Sequence, residues 1–113
     1  MKKYRAVFHL VERERARQTL NNIRNLLIDL GENGVDAELL ANSEGVNALL
    51  KTGSHGDRVA KLAEKGVRFV VCANSLHSMD LDIEDFLDPV KVVSSGMGEL
   101  VRRQAEGWAY IRP

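Results

Sequence analysis

The chain holds one cysteine, and its setting raises the first chemical question. Cys72 closes the apolar run VRFVVC (67–72) and is followed by Ala73, Asn74, Ser75 and Leu76. A free cysteine is among the residue types most often buried, so one reading makes it a small hydrophobe finishing a strand. The other reading displays it as a nucleophile. Asn74 or Ser75 is a competent N-cap for a turn beginning at Leu76, and a thiol at such a junction meets backbone N–H groups that favour its anion. An ordinary thiol with a pKa near 8.5 is only about 3% ionised at pH 7, whereas a pKa lowered to about 7 makes it half thiolate. His9, in the run AVFHL (6–10), and His77, shortly after the cysteine, are the imidazoles that would add positive charge if brought near.

Other chemistries find less to work with. The first connection after a strand, VERERAR (11–17), has no glycine, which argues against a phosphate cradle of the Rossmann or P-loop kind. A metal would have to draw on Cys72, His9, His55 and His77, whose positions match no recognised ligand spacing, so neither metal nor cofactor is expected. The stretch DLDIEDFLD (80–88) superficially suggests a calcium loop. Asp85 stands where the central glycine belongs, however, and Lys91 where the bidentate glutamate would be. Asp82 capping a short helix, with Glu84 and Asp85 at its positive end, accounts for it better.

The elements that must position these residues alternate along the chain. AVFHL (6–10) predicts a first strand. Leu20, Ile23, Leu27 and Leu30 fall at spacings of three and four, one face of a helix that starts near Ala16 and ends at Gly31. VDAELLA (35–41) predicts a second strand; its polar first half suggests a place near an edge or the solvent. GVNALLK (45–51) suggests a short helix, and Asp57 opens another through Val59, Leu62 and Ala63 that Gly66 closes. VRFVVC is the third strand and VKVV (90–93) the fourth. Ser94 or Ser95 then caps a helix carrying Met97, Leu100, Val101 and Ala105, stopped by Gly107, before a last strand in WAYIR (108–112). Apolar strands joined by helices imply a single three-layer α/β/α domain over residues 1–113, with a mostly parallel sheet of about five strands. In such sheets ligands gather outside the carboxyl ends of the strands. Those ends hold His9 and Leu10, Ala41 to Ser43, Cys72 to Ser75, and Ser94 to Gly96.

Composition bounds the partners. With 113 residues, 44% of them hydrophobic and 28% charged, the chain is that of an ordinary soluble domain. Its 16 basic and 16 acidic residues cancel, and ERERAR (12–17) alternates in sign like a solvated helix face, so no nucleic acid or anionic membrane is expected. No run approaches the roughly 18 apolar residues of a membrane span. MKKYRAVFHL (1–10) reads as a strand rather than a signal peptide, and a lone cysteine fits a reducing cytoplasm.

The residues resemble the DsrE/DsrF-like family of small sulfur-relay proteins, nearly end to end. The likeness is carried by AVFHL, LNNIRNLLIDLG (20–31), VDAELLANSEGVNALL (35–50), GVRFVVCANSL (66–76) and VKVVSSGMGELVRRQAEGWAYIRP (90–113), the last pointing to a branch of short members. The resemblance implies a three-layer sandwich with a parallel sheet, assembly into trimers or hexamers, and Cys72 as the residue that carries sulfur as a persulfide. The family pattern often has basic residues after the Ser/Thr–Leu pair and a glycine near position 80, where this sequence has only His77 and then Asp80.

Two functions from different classes are therefore expected to compete. The first is a sulfur carrier or sulfurtransferase-like protein, in which Cys72 receives sulfur from a donor protein and passes it to an acceptor thiol. The backbone N–H groups of Asn74 to Leu76 would stabilise the anion, and His9 or His77 would help move a proton. The second is a non-catalytic oligomeric module that binds a small ligand or partner, with Cys72 structural. A weaker third makes Cys72 a redox-sensing thiol. Met97, Trp108 and Tyr110 are placed either in a subunit interface or in the domain's own core.

Overall fold

The computed structural model describes residues 3–113. Five strands, β1 (Tyr4–Leu10), β2 (Val35–Ala41), β3 (Arg68–Cys72), β4 (Val90–Val93) and β5 (Ala109–Ile111), form one sheet in the order β4-β3-β2-β1-β5. All four pairings are parallel, as the apolar runs and intervening helices predict. The helices are α1 (Ala16–Leu30), α2 (Gly56–Glu64), the short α3 (Ala73–Ser78) and α4 (Gly96–Ala105).

Alternation along the strands divides the core. Ala6, Phe8, Leu10, Leu39, Ala41, Phe69 and Val71 face α1 and α2, where Leu20, Ile23, Leu27, Val59 and Leu62 complete the larger cluster. The intervening residues Val7, Leu40 and Val70 face α4 and join Leu100 and Trp108 in a smaller one. By the same alternation His9 and Cys72, two residues beyond Val7 and Val70, belong to the α4 side. α2 gives way to β3 through Gly66, whose φ of 96° a residue with a Cβ would resist.

Two expectations are corrected. β2 is the central strand, not one near an edge or solvent. Its polar start has other causes: Asp36 pairs with Lys3 at 2.9 Å, and Glu38 is completely buried among arginines beneath α4. The turn after Cys72 begins earlier than Leu76, since α3 opens at Ala73 with Cys72 itself as N-cap. The segment after β2 is helical as expected, but in the tighter 3-10 form over Ser43–Leu49. Asp82 does cap a short 3-10 helix (Ile83–Asp85), and Asp85 completes a capping box with it.

Candidate functional site

Cys72 ends β3 on the α4 face, next to the point where β4 turns into α4. Ser95 caps α4 by accepting from the Gly98 N–H at 3.1 Å. That turn lays the first helical residue, Gly96, directly over the thiol, and its N–H donates to Cys72 Sγ at 3.3 Å. The approach is close: a Cβ on Gly96 would sit a tight 3.3 Å from Cys72 Cβ and an ordinary 3.5 Å from Asn42 Cβ.

On its other side the sulfur faces the start of α3. Burial raises the thiol pKa, but the Ser75 and Gly96 N–H groups, the Ser75 hydroxyl and the Asn74 N–H together outweigh it and hold Cys72 below its ordinary value. Of these, the Gly96 N–H at 3.3 Å has the geometry of a full hydrogen bond. The Ser75 oxygen also accepts from the Ser43 N–H at 2.9 Å. Ser43 has a φ of 50°, a left-handed conformation uncommon for a residue with a side chain. The contact ties the end of β2 to α3, leaving the Ser75 hydrogen for the sulfur. Ser43, Asn74, Ser75, Ser78 and Met79 line a shallow hollow of about 200 Å³ beside this group. Cys72 itself is 6% exposed.

His9 comes to the same end of the sheet from β1. It is buried, with Nε2 at 2.9 Å from Asn42 Oδ1 and Nδ1 at 2.6 Å from the Tyr110 hydroxyl. Burial lowers its pKa; the Asn42 hydrogen bond opposes that, and the charge of Arg112 adds to it. The balance favours the neutral ring. His77 lies on the exposed side of α3. The structure thus sets Asn74 and Ser75 beside Cys72, while His9 reaches the same end of the sheet two strands away, bonded to Asn42 and Tyr110, and His77 is exposed.

Several participants were missed by sequence reasoning. Asn42 and Gly96 fell within the strand ends named above but carried no signal of their own, and Tyr110 was weighed only as core or interface. A second cluster lies deeper under α4. Glu38 Oε1 accepts from Arg68 Nε and Arg103 at 3.1 Å each, and Arg103 Nε also donates to Glu99 Oε2 at 3.1 Å. Burial, and then the neighbouring Glu99 carboxylate, push Glu38 up to about 7. Burial disfavours the Glu99 charge as well, but the hydrogen bond from Glu38 and the charges of Arg103 and Arg102 hold its pKa below the usual value. The second Glu38 oxygen is buried without a hydrogen-bond partner, a setting that suits the protonated form favoured by the raised pKa. Glu99 and Arg103 stand one helical turn apart, the one clue in the sequence to this pair. Among the described residues no group of His, Cys, Asp and Glu is arranged to hold a metal.

Comparison with known proteins agrees with this architecture. No curated protein matches the chain. Among solved structures it is similar to a protein of unknown function, MTH1491 from Methanobacterium thermoautotrophicum, with 46% identity over 98% of this chain and all of that one, and a TM-score of 0.93. The ychN protein from E. coli shares the fold, with a TM-score of 0.79 over the full length of both chains at 16% identity. The model of the DsrE/DsrF-like family matches residues 31–113, a span that includes Asn42, Cys72, Ser75, Gly96 and Tyr110 and leaves out His9. By that match, the chain belongs to the DsrE/DsrF-like family.

Proposed function

We propose that the protein is a small sulfur carrier that holds sulfur as a persulfide on Cys72. The observation that carries this reading is the thiol itself: at the end of an interior parallel strand, under the Gly96 N–H, with its pKa held down by uncharged donors. In the first step the Cys72 thiolate forms an S–S bond to the outer sulfur of a donor persulfide. The donor's own S–S bond breaks, and its electron pair leaves on the donor thiolate. An acceptor thiolate then attacks the outer sulfur on Cys72, which departs as the thiolate it began as. Neither step needs a net oxidant, and one cysteine suffices because the acceptor resolves the intermediate. The persulfide also carries the reactive atom about 2 Å beyond a nearly covered Sγ. Loading with a sulfane-sulfur donor, followed by intact-mass measurement, tests the reading. The wild type gains one sulfur atom that a reductant removes; equal gain by Cys72→Ser contradicts it.

The slight exposure of Cys72 favours a second reading, in which the protein is a binding module and the thiol is packed. Slow alkylation of the native protein, no faster than that of a buried thiol, would select it.

In either case we propose a homo-oligomer, a trimer or hexamer, working in the cytoplasm with donor and acceptor proteins. The exposure of Met97 and Val101 along α4, and of Tyr110 nearby, supports assembly, whereas Trp108 is buried in the chain's own core. Among the described residues no helix is long and apolar enough to cross a membrane.

A further inference from the structure

On the side of the sheet away from the thiol, α1 and α2 lie next to each other with a cleft of about 220 Å³ between them. The buried Leu20 and Leu62 form its floor. α1 lines it with Asn21 and Arg24, and α2 with its C-cap lines it with Arg58, Lys61 and Lys65. Arg58 also borders an adjoining hollow of about 240 Å³, to which Arg17 and His55 contribute. The helical period sets out both walls: Arg17, Asn21 and Arg24 share one flank of α1, and Arg58, Lys61 and Lys65 one flank of α2. At 1.5 Å per residue the α2 wall runs for about 10 Å. The cations are exposed, and among the described residues Arg17, Arg24, Arg58 and Lys61 enter no ion pair, while Lys65 meets Glu32 only at 3.9 Å. The His55 ring registers the uncancelled charge: after burial, Arg58 and Arg13 are what lower its pKa. With 16 acids to its 16 bases the chain had partners for these residues, and like charges a helical turn apart cost stability. Folding gives no reason to gather them.

We infer that the groove between α1 and α2 is a binding site for a phosphate-bearing anion of the size of a di- or triphosphate. Charge density selects the class. Four cations around so small a cleft are matched by a compact ligand that carries several charges. A carboxylate brings one negative charge, whereas a phosphoryl group brings up to about two, with three strong acceptor oxygens. Arg24 and Arg58 offer planar forks that fit phosphate oxygens, Lys61 and Lys65 supply point charges, and Asn21 adds a neutral donor. The apolar floor is a low-dielectric wall that strengthens the field above it. The site is made of side chains on two helix flanks, not of a glycine-rich loop. It shares no residue with the surroundings of Cys72 and does not rest on the sulfur-carrier reading.

Calorimetric titration with sodium tripolyphosphate at constant ionic strength tests this, on wild type and on the double variant Arg58→Glu with Lys61→Glu. The control is Lys51→Glu with Lys91→Glu, the same change of net charge on exposed residues outside the groove. Thermal melts establish that each variant is folded. The wild type is expected to bind one tripolyphosphate per chain, and the groove variant to bind it about tenfold more weakly or not at all. The control keeps the wild-type affinity. Arg24→Gln, which removes one fork without adding charge, weakens binding severalfold and serves if the double variant does not fold. ATP titrated in parallel separates two sources of the same chemistry. Tighter binding of ATP marks the ligand as a nucleotide, and equal binding marks it as one read through its phosphates alone; both outcomes support the site. Absence of saturable binding by either compound overturns the inference, and so does an equal loss in the control. A tetraglutamate peptide that binds as tightly as tripolyphosphate overturns the assignment to phosphate.

Discussion

A sulfur atom nearly closed off from water would ordinarily be a poor nucleophile, because burial favours the neutral thiol. Cys72 escapes this because the groups around it are donors and uncharged. Gly96 contributes a backbone N–H at 3.3 Å, and Ser75 contributes both its amide and its hydroxyl. Ser75→Ala isolates the hydroxyl's share. The backbone donors remain and the thiol pKa rises, so alkylation at pH 7 slows about twofold to tenfold, the range of one modest hydrogen bond of about 0.5–1.5 kcal/mol. An unchanged rate would assign the depression to backbone groups alone. The thiol and its strand-end setting were legible in VRFVVCANSL, since an apolar run stopping at small polar residues marks a strand's carboxyl end. Which groups would face it was not: Gly96 comes from 24 residues away, and no local pattern announces so distant a contact.

At the scale of elements, β2 shows why a polar pattern can mislead. Alternation in VDAE suggested a wet flank, yet Glu38 sits buried in the middle of the sheet, its pKa raised by burial and by Glu99 of α4. Unfolded, Glu38 loses its proton near pH 4.3; folded, it keeps it to about 7. Between those values the native state binds more protons, so this group's contribution to stability falls as pH rises. Glu99, with its lowered pKa, acts below that window. Glu38→Gln keeps the acceptor for both arginines and a donor for Glu99 but cannot ionise. In urea unfolding at pH 5 to 8 its stability relative to wild type should therefore rise with pH, by about 1–2 kcal/mol across the range. A difference independent of pH would show that Glu38 does not titrate in that range. The connection after β2 is tested by Gly45→Ala. A Cβ there would overlap the Leu10 carbonyl, backbone that cannot yield, and the expected loss is about 1–3 kcal/mol or more in the same measurement. Helix ends and strand runs were readable because glycine, capping residues and apolar periodicity are local signals. The central position of β2 and the Glu38–Glu99 pair are products of strand order, which periodicity does not encode.

Across the whole molecule, the order β4-β3-β2-β1-β5 requires α4 to link the two edge strands and so to cross the full width of the sheet. That crossing assembles the site from every strand: His9 from β1, Asn42 after β2, Cys72 from β3, Gly96 after β4 and Tyr110 from β5. It also leaves Met97 and Val101 on the outer side of α4, exposed one turn apart. If these residues meet neighbouring copies, Val101→Glu lowers the mass measured by light scattering toward that of one chain, and the wild type exceeds it at micromolar concentration. A wild type that is already a monomer would rule out assembly through this face.

The central claim is that Cys72 is ionised near neutral pH and reachable in the folded protein, and the alkylation rate of the native wild type as a function of pH tests it most directly. The account predicts a titration midpoint clearly below the ordinary thiol value of about 8.5, with reaction faster than unfolding. A midpoint at or above that value, or a rate no greater than that of global unfolding, would contradict it.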